Sequence, residues 1–182
     1  MVRGASGYER ELKQLLLGDP ASLRAYGRPL GPDERKVLDR VRREPFLVVR
    51  AAGSLGFDLV ALRREFAFPL EVKASSSPSI LFSAASGRAA DQLAAHRAAV
   101  GRVGLTVLYA FRRIGHRNGD PWRLFRATDV PTRGSLRFLV GHLPPVETTR
   151  EGNAVLRWEK GMSLVKFLDT VHFLTERPGV GG

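Results

Sequence analysis

The 182-residue sequence has no cysteine and only two methionines, two tryptophans and three tyrosines. Without a thiol, a disulfide framework and a thiolate zinc site are both excluded. A chain of this length buries roughly 70% of the surface it exposes when unfolded, so its core needs neither. No apolar run approaches the ~20 residues that span a bilayer, and Met1 to Gly7 has no apolar signal region. The expected location is therefore the cytoplasm, with no membrane partner. The glycine-containing stretches have neither the Gly-Lys-Ser/Thr ending of a Walker loop nor a dinucleotide fingerprint, which argues against an ATPase and against a nucleotide cofactor. His96, His116, His142 and His172 stand at no i,i+3 or i,i+4 spacing, so zinc hydrolysis is not expected.

Lysine is scarce as well, with five residues against 24 arginines. Arginine carries the basic excess: 29 Lys+Arg against 18 Asp+Glu give a net charge of +11 and a pI near 11.1. The charge is spread along the chain and not gathered into a tail, which makes a polyanion the leading partner class, nucleic acid first. The planar fork of arginine binds phosphate bidentately. A compositional or thermophile bias toward arginine is the plainer explanation of the same count.

The spacing of apolar residues predicts a helix over Tyr8 to Leu17, stopped by Gly18-Asp19-Pro20, and another opened by Pro32-Asp33-Glu34 and ended at Pro45. Phe46 to Ala51 reads as a strand buried on both faces. Phe57 to Leu62 and Phe66 to Lys73 read as two strands of a hairpin around Arg63-Arg64-Glu65. A short strand follows at Ile80 to Ser83, a central helix at Gly87 to Val100, and strands at Leu105 to Arg112 and Trp122 to Ala127. Beyond Asp129 the pattern loosens to a strand at Ala154 to Trp158 and a helix at Met162 to Leu174. This order predicts an α/β fold around a mixed sheet.

One constellation carries chemistry. Asp58 opens a strand, and Glu71-Val72-Lys73 puts a carboxylate and an ammonium ~6.6 Å apart on one strand face. Two carboxylates and a lysine can thus meet at one end of a hairpin. Phosphodiester hydrolysis uses those parts: Mg²⁺ takes one or two carboxylates plus waters and a phosphate oxygen, and a lysine positions or deprotonates the attacking water. A Glu-x-Lys pair on a strand is ordinarily a solvated ion pair, and an Asp after Gly-x is ordinarily a turn residue. The apolar flanks of both acids weigh against that, since buried carboxylates are costly without a partner. Trp122, Phe125, Phe111 and Tyr109 are candidates to stack on opened bases, although aromatic residues at strand spacing are more often core.

Three motifs in the same order, Arg3 to Leu12, Val48 to Ser54 continuing through Asp58 to Ala61, and Glu71-Val72-Lys73, resemble the archaeal-type Holliday junction resolvases. These belong to the PD-(D/E)xK, or restriction-endonuclease-like, nuclease superfamily. The resemblance implies a three-layer core, a central mixed sheet flanked by helices. It implies Mg²⁺, with Mn²⁺ as substitute, held by Glu9, Asp58, Glu71 and the Val72 carbonyl. Lys73 is then the catalytic lysine, Ser54 lies beside the scissile strand, and Arg10 and Arg50 hold DNA backbone. The implied activity is paired cleavage of four-way DNA junctions by a homodimer, in recombination and repair. The segment 18–45 has no counterpart in the family pattern, and it leaves the third carboxylate open between Glu9, which is favoured, and Glu34. Gln92 on the central helix is a further candidate to face the metal. The expected organisation is a nuclease core over 1–128 with a helical insertion at about 18–45, then an extension over 129–182. A nuclease acting on duplex, flap or ends, and a non-catalytic DNA-binding accessory protein, are the alternatives.

Overall fold

A six-stranded mixed sheet runs through the centre of the protein, seen in a computed structural model that describes residues 5–51, 56–83, 88–101, 104–127 and 134–176. The chain first forms α1 (Ala5–Leu16), α2 (Pro20–Gly27) and α3 (Pro32–Arg43), then β1 (Leu47–Arg50), β2 (Leu59–Arg63), β3 (Phe66–Ser75) and β4 (Ser79–Phe82). It continues through α4 (Arg88–Gly101), β5 (Leu108–Arg113), β6 (Trp122–Arg126), α5 (Gly134–His142), β7 (Glu147–Thr148), β8 (Ala154–Arg157), β9 (Met162–Ser163) and α6 (Leu164–Glu176). The main sheet has the order β1-β2-β3-β5-β6-β9, and a second sheet has the order β4-β8-β7. Only the β3–β5 pairing is parallel within the main sheet; its other neighbours are antiparallel. The expected fold class, α/β with a mixed central sheet between helices, is the one observed.

Strand alternation divides the core into two layers. Phe66, Phe68 and Leu70 of β3 and Leu108 and Ala110 of β5 pack with Leu12 and Leu15 of α1, Val41 of α3 and Phe167 and Leu168 of α6. The opposite face carries Tyr109 and Phe111 of β5 and Phe125 of β6 against Leu93 of α4 and Phe82 of the second sheet. β5 is therefore buried on both sides, as a parallel strand in the middle of a sheet must be. Pro69 is tolerated in β3 because its missing N–H would face β5, whose pairing with β3 starts only at Leu70.

Several expectations need correction. Phe46 to Ala51 forms an edge strand, not one buried on both faces: Leu47 and Val49 are 63% and 49% exposed. Its apolar character answers only half to burial. Gly18-Asp19-Pro20 ends α1 as expected, but the same residues also open a helix that the apolar spacing did not announce. Asp19 caps α2, its side chain accepting from the Ser22 N–H at 2.8 Å with Pro20 in the first turn. α5 lies in the stretch where no pattern was legible. Residues 134–176 join the same sheet through β9 and the same core through α6, so their packing is continuous with that of the first 127 residues. The aromatic candidates for base stacking, Tyr109, Phe111, Trp122 and Phe125, are all core residues, none more than 2% exposed.

Candidate active site

β3 outruns β2 at one end of the sheet, and the site forms in that gap. Backbone pairing of the two strands ends at Leu59 and Leu70. Just before it, Asp58 is fixed on both sides, its N–H donating to the Leu70 carbonyl and its carbonyl accepting from the Ala51 N–H, each at 3.1 Å. The next free β3 donor, the Val72 N–H, is taken by the Asp58 carboxylate: Oδ2 accepts at 2.7 Å. A side chain thus replaces a strand carbonyl, and Asp58 is held beside Glu71.

Glu71 and Lys73 leave β3 on the α4 face. Glu71 Oε1 accepts from Lys73 Nζ at 2.7 Å and from Gln92 Nε2 at 2.9 Å, while Lys73 also donates to Gln92 Oε1 at 2.9 Å. Gln92 therefore closes a three-membered ring with the acid and the ammonium. Among the described residues, Glu71 Oε2 is buried with no hydrogen-bond partner. Burial raises the Glu71 pKa; the Lys73 hydrogen bond and charge oppose that rise, and the Asp58 charge adds to it.

Gln92 and His96 stand four residues apart on α4 and so share a face. Gln92 Nε2 reaches the Gly56 carbonyl at 3.4 Å, and His96 Nε2 meets the same oxygen at 2.5 Å. His96 Nδ1 lies 3.0 Å from the Tyr109 hydroxyl. A carbonyl can only accept, so Nε2 carries the proton and Nδ1 accepts from Tyr109. Burial lowers the His96 pKa and raises that of Tyr109, which keeps both groups neutral. The turn leading into Asp58 is thereby clamped to α4. Sequence reasoning did not find His96; its i,i+4 spacing from Gln92 was the available signal.

The other predicted residues lie elsewhere. Glu9 sits on α1 across the sheet and accepts from Arg50 of β1 at 3.0 Å, with Arg50 largely exposed. Arg50 shares a cross-strand row with Leu59, on the α1 face. The Glu9–Arg50 pair is therefore at the same end of the sheet as Asp58 and Glu71, but on its opposite side. Glu34 accepts from the Gly31 N–H at 2.8 Å and caps α3. Neither acid joins Asp58 and Glu71. Among the described residues, no three His, Asp or Glu side chains stand close enough to hold one metal ion. Arg10 is exposed on α1. Ser54 lies outside the described residues.

Two neighbouring carboxylates, one with a buried and unsatisfied oxygen, nonetheless fit a divalent cation. Mg²⁺ is commonly held by one or two carboxylates, with water and substrate phosphate completing its shell. The Val72 carbonyl stands on the strand between Glu71 and Lys73.

No protein-family profile and no curated protein matches this sequence. Among solved structures the chain is similar to Hjc of Archaeoglobus fulgidus, a Holliday junction resolvase from an archaeal hyperthermophile, at 18% identity and a TM-score of 0.47, over 75% of this chain and 92% of that one.

Proposed function

We propose that this protein is a metal-dependent endonuclease that hydrolyses phosphodiester bonds at four-way DNA junctions. The observation that carries the hydrolytic reading is Glu71. Its carboxylate is buried beside Asp58 with one oxygen unpartnered and the other shared by Lys73 and Gln92. A divalent cation would satisfy the unpartnered oxygen. The charge of +11 supports a polyanionic substrate. Junction preference rests on the resemblance of the three sequence motifs, and a homodimer acting on a two-fold-symmetric junction follows from the need to cut two strands.

In this reading Asp58, Glu71 and the Val72 carbonyl hold the ion, which when bound lowers the pKa of a water and neutralises charge on the phosphate oxygens. Lys73, an ammonium in this arrangement, positions the attacking water and can donate a proton to the leaving oxygen. Gln92 holds the ammonium and the carboxylate at fixed separation, so that Lys73 cannot turn away to solvent. Glu9 orients Arg50, and Arg50 and Arg10 contact the DNA backbone, which carries no direct base information.

The test is cleavage of a labelled immobile four-way junction beside a linear duplex of the same sequence, with Mg²⁺ and with chelator. Paired symmetric nicks in the junction alone, abolished by chelator and by Asp58→Asn, are expected. Equal cutting of the duplex would retain the hydrolytic site and remove the junction preference. Binding without cutting in any metal would overturn the enzyme reading.

A further inference from the structure

The hairpin from Arg113 to Trp122 extends the α4 face beyond Lys73. Lys73 pairs with Phe111 across the parallel strands, and Ser75 pairs with Arg113. Alternation places Arg113 on the face of Phe111 and Lys73. Its Cα is one strand across, ~4.8 Å, and two residues along, ~6.6 Å, from that of Lys73. A second phosphate on the same DNA strand would pass here.

Arg113 differs from the arginines that join elements of the fold. Arg112 donates to Glu11, Arg63 to Glu44, Arg50 to Glu9 and Arg157 to Glu147. The Arg113 guanidinium has no ion pair or hydrogen bond among the described residues. Beside it opens a cleft of about 260 Å³ lined by Arg113, Ile114, Gly115 and His116. Gly115 turns the chain with φ of 82°, and a Cβ there would meet nothing within 4 Å, so the mouth is open.

The walls are set from behind. The His116 ring lies 4.5 Å from that of Trp158, and the Arg123 guanidinium lies 3.9 Å from the Trp158 centroid. Arg123 donates to the carbonyls of Asp120 and Trp122 at 2.8 Å each, which holds the stack in place. The hairpin's one acid, Asp120, is buried and turned toward Tyr26 and α6. Among the described residues no carboxylate lines the cleft. A guanidinium fork and an imidazole around an open cleft, with no acid, are matched to a phosphodiester.

We infer that this cleft is a phosphate subsite, which binds a backbone phosphate of the strand whose neighbouring phosphodiester lies at Asp58, Glu71 and Lys73. The subsite rests on the nuclease reading above. It sets the path of the strand along the C-terminal ends of β3 and β5 and fixes the position of the cut relative to the branch.

The experiment measures junction binding by the full-length protein in chelator, where no cutting occurs, as a function of salt. Arg113→Gln is expected to weaken binding about fivefold to tenfold near 0.1 M salt and to reduce the slope of log K against log salt by about 0.9, the value of one phosphate contact. Lys36→Gln is the control, since that ammonium is already held by Asp33 at 2.8 Å, and it should leave the slope unchanged. Single methylphosphonate substitutions are then placed at each phosphate within three nucleotides of the cut. One position should weaken wild-type binding and leave Arg113→Gln no weaker than before, a double-mutant cycle that loss of fold cannot mimic. If every position weakens the variant as much as the wild type, or the slope is unchanged, there is no subsite. Should that occur while wild type still cuts the junction, the nuclease reading stands. If wild type neither binds nor cuts branched DNA, both fall together.

Discussion

Asp120 and Glu71 are both buried acids on or beside central strands, and burial raises the pKa of each. Their surroundings differ. Asp120 Oδ1 accepts from the Tyr26 hydroxyl at 2.6 Å and the Trp122 N–H at 2.8 Å, and Oδ2 accepts from the Val165 N–H at 3.0 Å. One carboxylate thus ties α2, the β5–β6 hairpin and the start of α6 into a closed clasp. Glu71 has two donors on one oxygen and none on the other. The same contrast runs through the two faces of the sheet. On the side of α1, Glu11 accepts from Arg112 and from the Trp122 indole, and Glu44 from Arg63, so acids there serve to join elements. On the side of α4 an acid is held in place and left incomplete. The difference separates scaffold from site without reference to any relative.

The largest effect should come from breaking the incomplete side. Lys73→Gln removes the ammonium shared by Glu71 and Gln92, and single-turnover cleavage is expected to slow by about 10² to 10⁴-fold, the range for a positioned acid or base. Junction binding in chelator should change by no more than one phosphate contact. A variant that cuts at wild-type rate would remove Lys73 from the chemistry.

Stability should respond in the reverse sense. Asp120→Ala strands a buried hydroxyl and two backbone N–H groups, and urea unfolding should show a loss of roughly 3 to 5 kcal/mol. Glu71→Gln replaces an acid whose burial is only half compensated by a neutral amide of the same shape, and the cost should be within about 1 kcal/mol. Equal losses from the two changes would erase the distinction between clasp and open site.

The open site was more legible in the sequence than the clasp. Asp58 and Glu71-x-Lys73 are close in the chain and one hairpin register brings them together, so alternation, the apolar flanks of both acids and the order of the three motifs were enough to single them out. Asp120 meets Tyr26 across 94 positions and Val165 across 45, and no local pattern announces such contacts. α2 was missed because Gly18-Asp19-Pro20 ends one helix and caps the next. The exposed face of β1 was missed because an apolar run reads alike at a sheet edge and at its centre. Glu9 was expected among the metal ligands on the strength of its flanking motif; the structure shows it as the partner of Arg50, 41 positions away, a contact that no local pattern announces.

A smaller effect on the scaffold side follows from His172. Its ring lies against the buried Arg63, with Nδ1 2.8 Å from one guanidinium nitrogen, and burial together with that positive charge lowers its pKa from the ordinary 6.5 to about 4. A depressed pKa means that the unfolded chain takes up the proton first as pH falls. The contribution is whole above about pH 6.5, shrinks through the interval and is gone near pH 4, with an upper size of about 3 kcal/mol. His172→Gln should flatten the stability profile between pH 6.5 and 4 relative to wild type. Parallel profiles would show that the ring is already solvated in the native state.

The smallest effect tests whether the open face is pre-set by its own second layer. His96 reaches no reacting group; it holds the Gly56 carbonyl, two residues before Asp58, and is itself held by Tyr109. His96→Phe keeps a ring beside Phe57, whose centroid is 4.6 Å away, and removes both hydrogen bonds. The cleavage rate should fall about tenfold, the upper worth of one hydrogen bond carried into the barrier, with binding in chelator unchanged. His96→Gln, which offers an amide N–H to the same carbonyl, should recover part of the rate. Tyr109→Phe should act in the same direction and more weakly, because it frees the imidazole to place its proton on Nδ1 and lose Gly56 without removing the ring. Faster amide exchange at Asp58 in the metal-free His96→Phe protein would show that the rate is lost through position. A rate that falls in step with thermal stability across all three variants would instead make the clamp part of the scaffold, and the boundary between the two faces would then lie at Gln92.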